Sequence, residues 1–490
     1  MSRYRLPVSS TALSGVVLSV AAFAIGCGVV VGTVIDKTVD VVRYPSQEWL
    51  FLGAYKHDNS WKETWREPPV GDDHGDLLLG LCFSGGGSRS AYFAACVLDE
   101  LGKRNIPGSQ RNYLEECDFI SSVSGGSLAA AYYCLNRYRE GYPEDHDAFF
   151  ERMREDMSKN FESRALGRMM FLGYWAPLIF TYYDRGDLMA SVWDSNFFDG
   201  RTFSDVDVKA PVLLVNATAY DTAQRFLFTS LPRSRISVRA VPGAVENRRE
   251  LTRGYAADYE PYEILTMESI DCDIGSCPLS TAVVASAAVP NLLGPVNLYD
   301  RTRGESLHLG DGGLYDNHGL PTMVDVLAPL LASKQDQRAL ILIVDAAGYF
   351  ETGEQAGDVT TIAQVAARSL EISWLRATTY FESTLQMGLE KMHATQRLRY
   401  AVISLYDGES MKGAPPEEQA FWKTSILTKV DDMNPVDIMK EVRAIGTRFS
   451  VTDEATQAVR TAAPRVVAGA LERLERLEVE SRQAATATAE

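Results

Sequence analysis

CDFISSVSGGSLAAAYYCLNRY, residues 117–138, decides how this chain folds. Asp118 to Val123 is a short apolar stretch with β character. It turns through a pair of glycines and continues as small and aromatic residues in a helical pattern. A strand that passes straight into a helix is the repeating unit of a mostly parallel α/β sheet. Ser124 stands at the corner, between Val123 and Gly125. In such sheets the functional loops gather at the carboxyl ends of the strands, which is where this serine falls.

The same pattern recurs on either side. DLLLGLCF (76–83) is a continuous apolar run, as expected of a strand covered on both faces. It enters SGGGSRS (84–90) and then a helical stretch, AYFAACVLDELGKR. PVLLVNAT (211–218), ALILIVDAA (339–347) and RYAVISLYD (399–407) are further buried strands. No internal repeat is visible. Residues 76–450 therefore read as one α/β domain with insertions at 168–200 and 230–270. It is preceded by a polar, proline-containing linker or cap at 41–75 and followed by a C-terminal segment at 451–490. That segment holds a helix around ALERLERLEVE, and its last residues, QAATATAE, read as disordered.

Bulk chemistry excludes several functions. The 490 residues carry 48 basic and 65 acidic side chains, a formal net charge of −17, so a polyphosphate would be repelled and nucleic acid is not a partner. Seven cysteines are too few for a disulfide scaffold. Cys82, Cys96, Cys117 and Cys134 sit in apolar patterns as small hydrophobes. Cys272 and Cys277, in DCDIGSC, can stay reduced or close a short loop disulfide in an oxidising compartment, and they lack the spacing of a zinc site. No metal or other cofactor is expected.

Residues 1–40 form an N-terminal segment with Arg3 and Arg5 in front of an uncharged run from Thr11 to Ile35. That run is long enough for one membrane-spanning helix, with the rest of the chain periplasmic or extracellular. Gly28 and Gly32 are spaced to pack two such helices together. The alternative is a lipoprotein signal ending at AIGC, with Cys27 lipidated after cleavage. The apolar run continues past Cys27, which favours the anchor.

A serine hydroxyl attacks a carbonyl only when a base takes its proton and donors hold the resulting oxyanion. SVSGGS places Ser124 where a G-x-S-x-G elbow places its nucleophile, with Gly126 in the closing position and Ser122 in place of the opening glycine. Serine beside glycines is also common in plain loops. About 40 residues upstream, Gly85, Gly86 and Gly87 expose backbone amides ahead of a helix, a cradle for an anion. A nucleotide phosphate is disfavoured there, because no G-K-[ST] follows and Ser90 replaces the third glycine of G-x-G-x-x-G. An oxyanion needs only the amides, chiefly those of Gly86 and Gly87, with Arg89 holding the loop or meeting a lipid phosphate. The base is read in HLGDGGLYDNHGLP (308–321), where Asp311 precedes Gly312 and Gly313 on a tight turn and His318 offers a Ser–Asp–His triad instead.

Together, GGGSRS, SVSGGS and DGG resemble the patatin-like phospholipase family, over about residues 76–350. ASAAVPNLLGPV (285–296) is similar to the family's A-S-x-A-x-P segment, and NATAYDTAQRFLF (216–228) to its N-x-T-D strand and turn. The resemblance implies a three-layer α/β/α fold with a mostly parallel central sheet. It also implies hydrolysis of a phospholipid or other acyl ester at a membrane by a Ser124–Asp311 dyad with no histidine. Two further readings remain: a Ser–Asp–His hydrolase of small esters, and a catalytically silent lipid-binding protein on the same fold. RMMFLGYWAPLIFTYY (168–183) reads as a packed helical hairpin or as a lid for acyl chains. The arginines between 233 and 253 read as a solvated loop face or a headgroup patch.

Overall fold

Along the strand Leu77–Phe83 (β1), Leu79, Leu81 and Phe83 face one side of the sheet and Leu78 and Cys82 the other. Both sets are buried, so helices must cover both faces. The computed structural model describes residues 77–161, 164, 185–236, 264–290, 293–334, 336–346, 397–405 and 450–489. All of these fall within one compact unit, Tyr55–Met170 with Asp184–Glu490.

In chain order β1 is followed by α1 (Gly87–Gly102), β2 (Cys117–Val123), α2 (Gly125–Asn136), α3 (His146–Met157) and α4 (Arg185–Trp193). Next come β3 (Val212–Ala219), β4 (Gln224–Phe228), β5 (Leu265–Thr266), α5 (Leu279–Ser286), β6 (Val296–Asp300) and β7 (Glu305–Asp311). The described chain ends with α6 (Leu320–Ser333), β8 (Arg338–Asp345), β9 (Leu398–Ser404) and α7 (Asp453–Ala489). The sheet runs β5-β4-β3-β2-β1-β8-β9, parallel from β3 through β9. It is a three-layer α/β/α arrangement with a mostly parallel central sheet. One face is covered by α6, through Leu320, Met323, Val324 and Leu327. The other carries the larger core, to which α1, α2, α5 and the first half of α7 contribute.

One departure from parallel order positions the site. β2 pairs with β3 as far as Val123↔Asn216, where the chain turns away at Ser124. β4 occupies the other edge of β3 over the same end, from Val215 to Ala219. The antiparallel strand β7 therefore takes up the edge that β2 leaves, beginning at Ala217↔Asp311. Consecutive rungs on one edge of β3 thus bring Asp311 beside Ser124.

The structure bears on some of these expectations and leaves others aside. Cys272 and Cys277 are both buried thiols, with their sulfurs turned to the carbonyls of Tyr299 and Pro278, so of the two readings the reduced one holds. The tail QAATATAE continues α7 as helix to Ala489, in keeping with its alanine content. Among the described residues no helix is long and apolar enough to cross a membrane. The N-terminal run with Cys27, the segment 41–75, the stretch 168–183 and arginines beyond residue 236 lie outside the described residues.

Candidate active site

Ser124 adopts φ 51° and ψ −123°, a left-handed backbone rarely held by a residue with a side chain. Its N–H donates to Ser286 Oγ at 2.9 Å, and its carbonyl accepts the Ser127 N–H at 2.9 Å, opening α2. The neighbours must be small because two turns meet backbone to backbone. A Cβ on Gly125 would fall inside the Gly87 carbonyl, and one on Gly126 would meet Ser84 O at 2.7 Å. Ser122 is tolerated in place of glycine because its hydroxyl is absorbed by buried hydrogen bonds, accepting from Ser127 Oγ at 3.1 Å and donating to Leu214 O at 3.4 Å.

The glycine turn divides its labour. The Gly85 N–H donates to Asn317 O at 2.9 Å, so this amide ties the turn to the Asp311 loop and is not an oxyanion donor as expected. Gly86 and Gly87, at φ 145° and 63°, lead into α1, whose N-terminus has no side-chain cap. Those amides are the positive end of a 16-residue helix. Arg89 is 2% exposed, and its Nε donates to Ala346 O at 3.0 Å. It fastens the turn to the end of β8 and is too deeply buried to meet a lipid phosphate.

Asp311 closes β7 and is 2% exposed. Its Oδ1 accepts the Gly313 N–H at 2.7 Å, its carbonyl accepts Thr218 Oγ1 at 2.9 Å, and its N–H donates to Ala288 O at 3.0 Å. Gly312 lies flat on the Asn216 carbonyl, and Gly313 packs against Asn317 and the Asp311 carboxylate. Burial raises the Asp311 carboxyl to about 7, and the Gly313 amide and Ser124 hydroxyl pull it only part of the way back. Ser124 is thus its hydrogen-bonding neighbour, yet Oδ2 closes no well-formed bond. The pair is adjacent but not clamped, as is common for catalytic contacts that tighten only around a substrate.

His318 is placed otherwise. Its Nε2 lies 3.2 Å from Asp345 Oδ1 and its N–H donates to Asp316, so the ring staples this loop to the end of β8. It is not among the groups that set the ionisation of Asp311, which counts against the triad. Two residues went unassigned by the sequence reading. Ser286, in the quoted 285–296 segment, is a fully buried hydroxyl at the end of α5, and a buried hydroxyl itself signals a needed hydrogen bond. Asn317, between the Gly85 and Gly313 turns, lay inside a quoted motif without a role.

Among the described residues, Asp99, His146 and Asp147 could jointly offer ligand atoms to a metal. Asp99 already meets Arg154 and Lys103, two cations that disfavour a third. It is also 12 residues along α1 from Gly87, roughly 18 Å at 1.5 Å per residue.

The patatin-like phospholipase family model matches residues 81–324. No curated protein matches the chain. Among solved structures, human GIVD cytosolic phospholipase A2 is similar with a TM-score of 0.43 and 11% identity, covering 87% of this chain and 66% of that one. Its complex with methyl γ-linolenyl fluorophosphonate gives a TM-score of 0.41 and 12% identity, covering 86% and 62%. The chain therefore spans just under two thirds of the length of those structures.

Proposed function

Residues 81–324 are a patatin-like phospholipase domain, and from that premise we propose that the chain hydrolyses acyl esters of lipids with Ser124 as nucleophile and Asp311 as base. The observation that carries this reading is the exchange of β2 for β7 on one edge of β3, with Val123↔Asn216 followed by Ala217↔Asp311. In the reaction, the Asp311 carboxylate takes the Ser124 hydroxyl proton as Oγ bonds to the ester carbon. The carbonyl oxygen becomes an oxyanion facing the Gly86 and Gly87 amides. As the tetrahedral species collapses, the ester C–O bond breaks and Asp311 returns the proton to the departing alcohol. Water then repeats the cycle on the acyl-serine, releasing the fatty acid and restoring Ser124.

A carboxylate is a weak base for a hydroxyl in water. Buried as Asp311 is, with its pKa lifted to about 7, it is better matched to the task at neutral pH. The uncharged run at 11–35 supports delivery of this domain to a membrane surface outside the cytoplasm. A fluorophosphonate carrying a reporter, followed by peptide mapping, should mark Ser124. Ser124→Ala should abolish both labelling and release of fatty acid from a panel of phospholipids and acylglycerols. Labelling elsewhere, or hydrolysis by the alanine variant, would overturn the reading.

A further inference from the structure

Resting on that reading, we propose that Ser286 is a positioning residue for the nucleophile, acting through the backbone N–H of Ser124. Its hydroxyl is fully buried at the last residue of α5. A hydroxyl has one proton to give. Here it goes to Asn216 O at 2.5 Å, so Oγ is left to accept from the Ser124 N–H at 2.9 Å. The Ser127 hydroxyl completes its surroundings at 2.9 Å.

The placement explains why a bond is needed there. β2 ends at Val123, so the Ser124 N–H has left the ladder, and as the cap of α2 it has no helical acceptor. A buried N–H without an acceptor is costly, and the left-handed backbone at φ 51° persists only where its surroundings over-determine it. The Ser286 hydroxyl relays the Ser124 N–H to the β3 carbonyl beside it, and so fixes the elbow against the strand that also pairs with β7. Asn216 O and Asp311 lie on adjacent rungs of that edge. Holding the elbow there holds the distance between the nucleophile and its base.

The test uses the full-length protein carrying Ser286→Ala, checked for folding by its thermal transition. Hydrogen–deuterium exchange read by mass spectrometry should show faster exchange in the peptide containing Ser124. On an ester that the wild type cleaves, kcat should fall roughly 10- to 100-fold with KM nearly unchanged, because the loss is of alignment and not of binding. Unchanged exchange at Ser124, or a change in KM with kcat intact, would overturn the proposal. Should the alanine variant not fold, Ser286→Cys retains the bulk of the side chain with a weaker acceptor, and the same readouts apply. Failure of the hydrolase reading has a different signature: the wild type itself releases no fatty acid and takes no fluorophosphonate label. Exchange at Ser124 still decides the role of Ser286 in that case.

Discussion

Asp311 and Asp99 are both almost fully buried, at 2% and 6% exposure, yet they ionise in opposite directions. Burial works against the charge of each. At Asp99 the opposition of burial is outweighed by Lys103 and Arg154, which hold its carboxyl below the ordinary range. At Asp311 no cation contributes, and the carboxyl climbs to about 7. Asp99 joins α1 to α3 as part of a network in which Arg154 also meets Glu151, and Glu151 meets Arg460 of α7. Among the described residues, Asp311 joins nothing of opposite charge. On the proposed function, the contrast separates a carboxylate that fastens helices together from one that exchanges a proton.

The largest effect expected from this contrast is a swap of consequences. Asp311→Asn should lower hydrolysis by about 10³-fold or more while the fold survives. Asp99→Asn should leave turnover largely intact but cost about 1–2 kcal/mol in denaturant unfolding, because Arg154 and Lys103 lose a carboxylate while Arg154 keeps Glu151. Comparable activity losses in the two variants would break the comparison.

A smaller effect sharpens it through pH. On the proposed mechanism Asp311 must be a carboxylate to act, and burial holds its proton until about pH 7, so log kcat/KM should rise with unit slope below that value and level off above it. The stability signs are opposite. The raised pKa of Asp311 makes its ionisation unfavourable to the folded state, a cost that grows as pH rises from the unfolded value of 3.8 to about 7. The lowered pKa of Asp99 stabilises the fold above the unfolded carboxylate value and is lost as pH falls through its own. Asp311→Asn should therefore melt higher than wild type at pH 8, with the gain vanishing towards pH 4. The smallest effect belongs to His318→Ala, which removes the staple to Asp345 and should reduce kcat by less than about tenfold. A loss as deep as that of Ser124→Ala would reinstate the histidine.

Much of this was legible in the sequence because buried parallel strands and glycine turns leave strong local marks. β1, β2, β3, β8 and β9 all fall within a few residues of their apolar runs. The hairpin of β6 and β7 was missed because its burial alternates, with polar residues such as His308 and Asn297 on the partly exposed side. Asp311 could be named from its glycines. The rung that brings it to Ser124 could not be, since the pairing of Ala217 on β3 with Asp311 on β7 joins strands far apart in the chain and has no signal in either one. The same limit hid Ser286, whose partners lie just past the end of β2 and on β3, and hid the Gly85 amide, which the sequence left free and the fold ties to Asn317.

The backbone contact between Gly87 and Gly125 has a consequence for how such a protein can diversify. With no side chain on either turn at that crossing, the Ser124 corner and the glycine turn are locked backbone to backbone and offer no handle there for gradual adjustment. If the proposed hydrolysis holds, substrate preference must be rewritten around the rim, by loops that never touch the crossing, while the chemistry underneath is inherited whole.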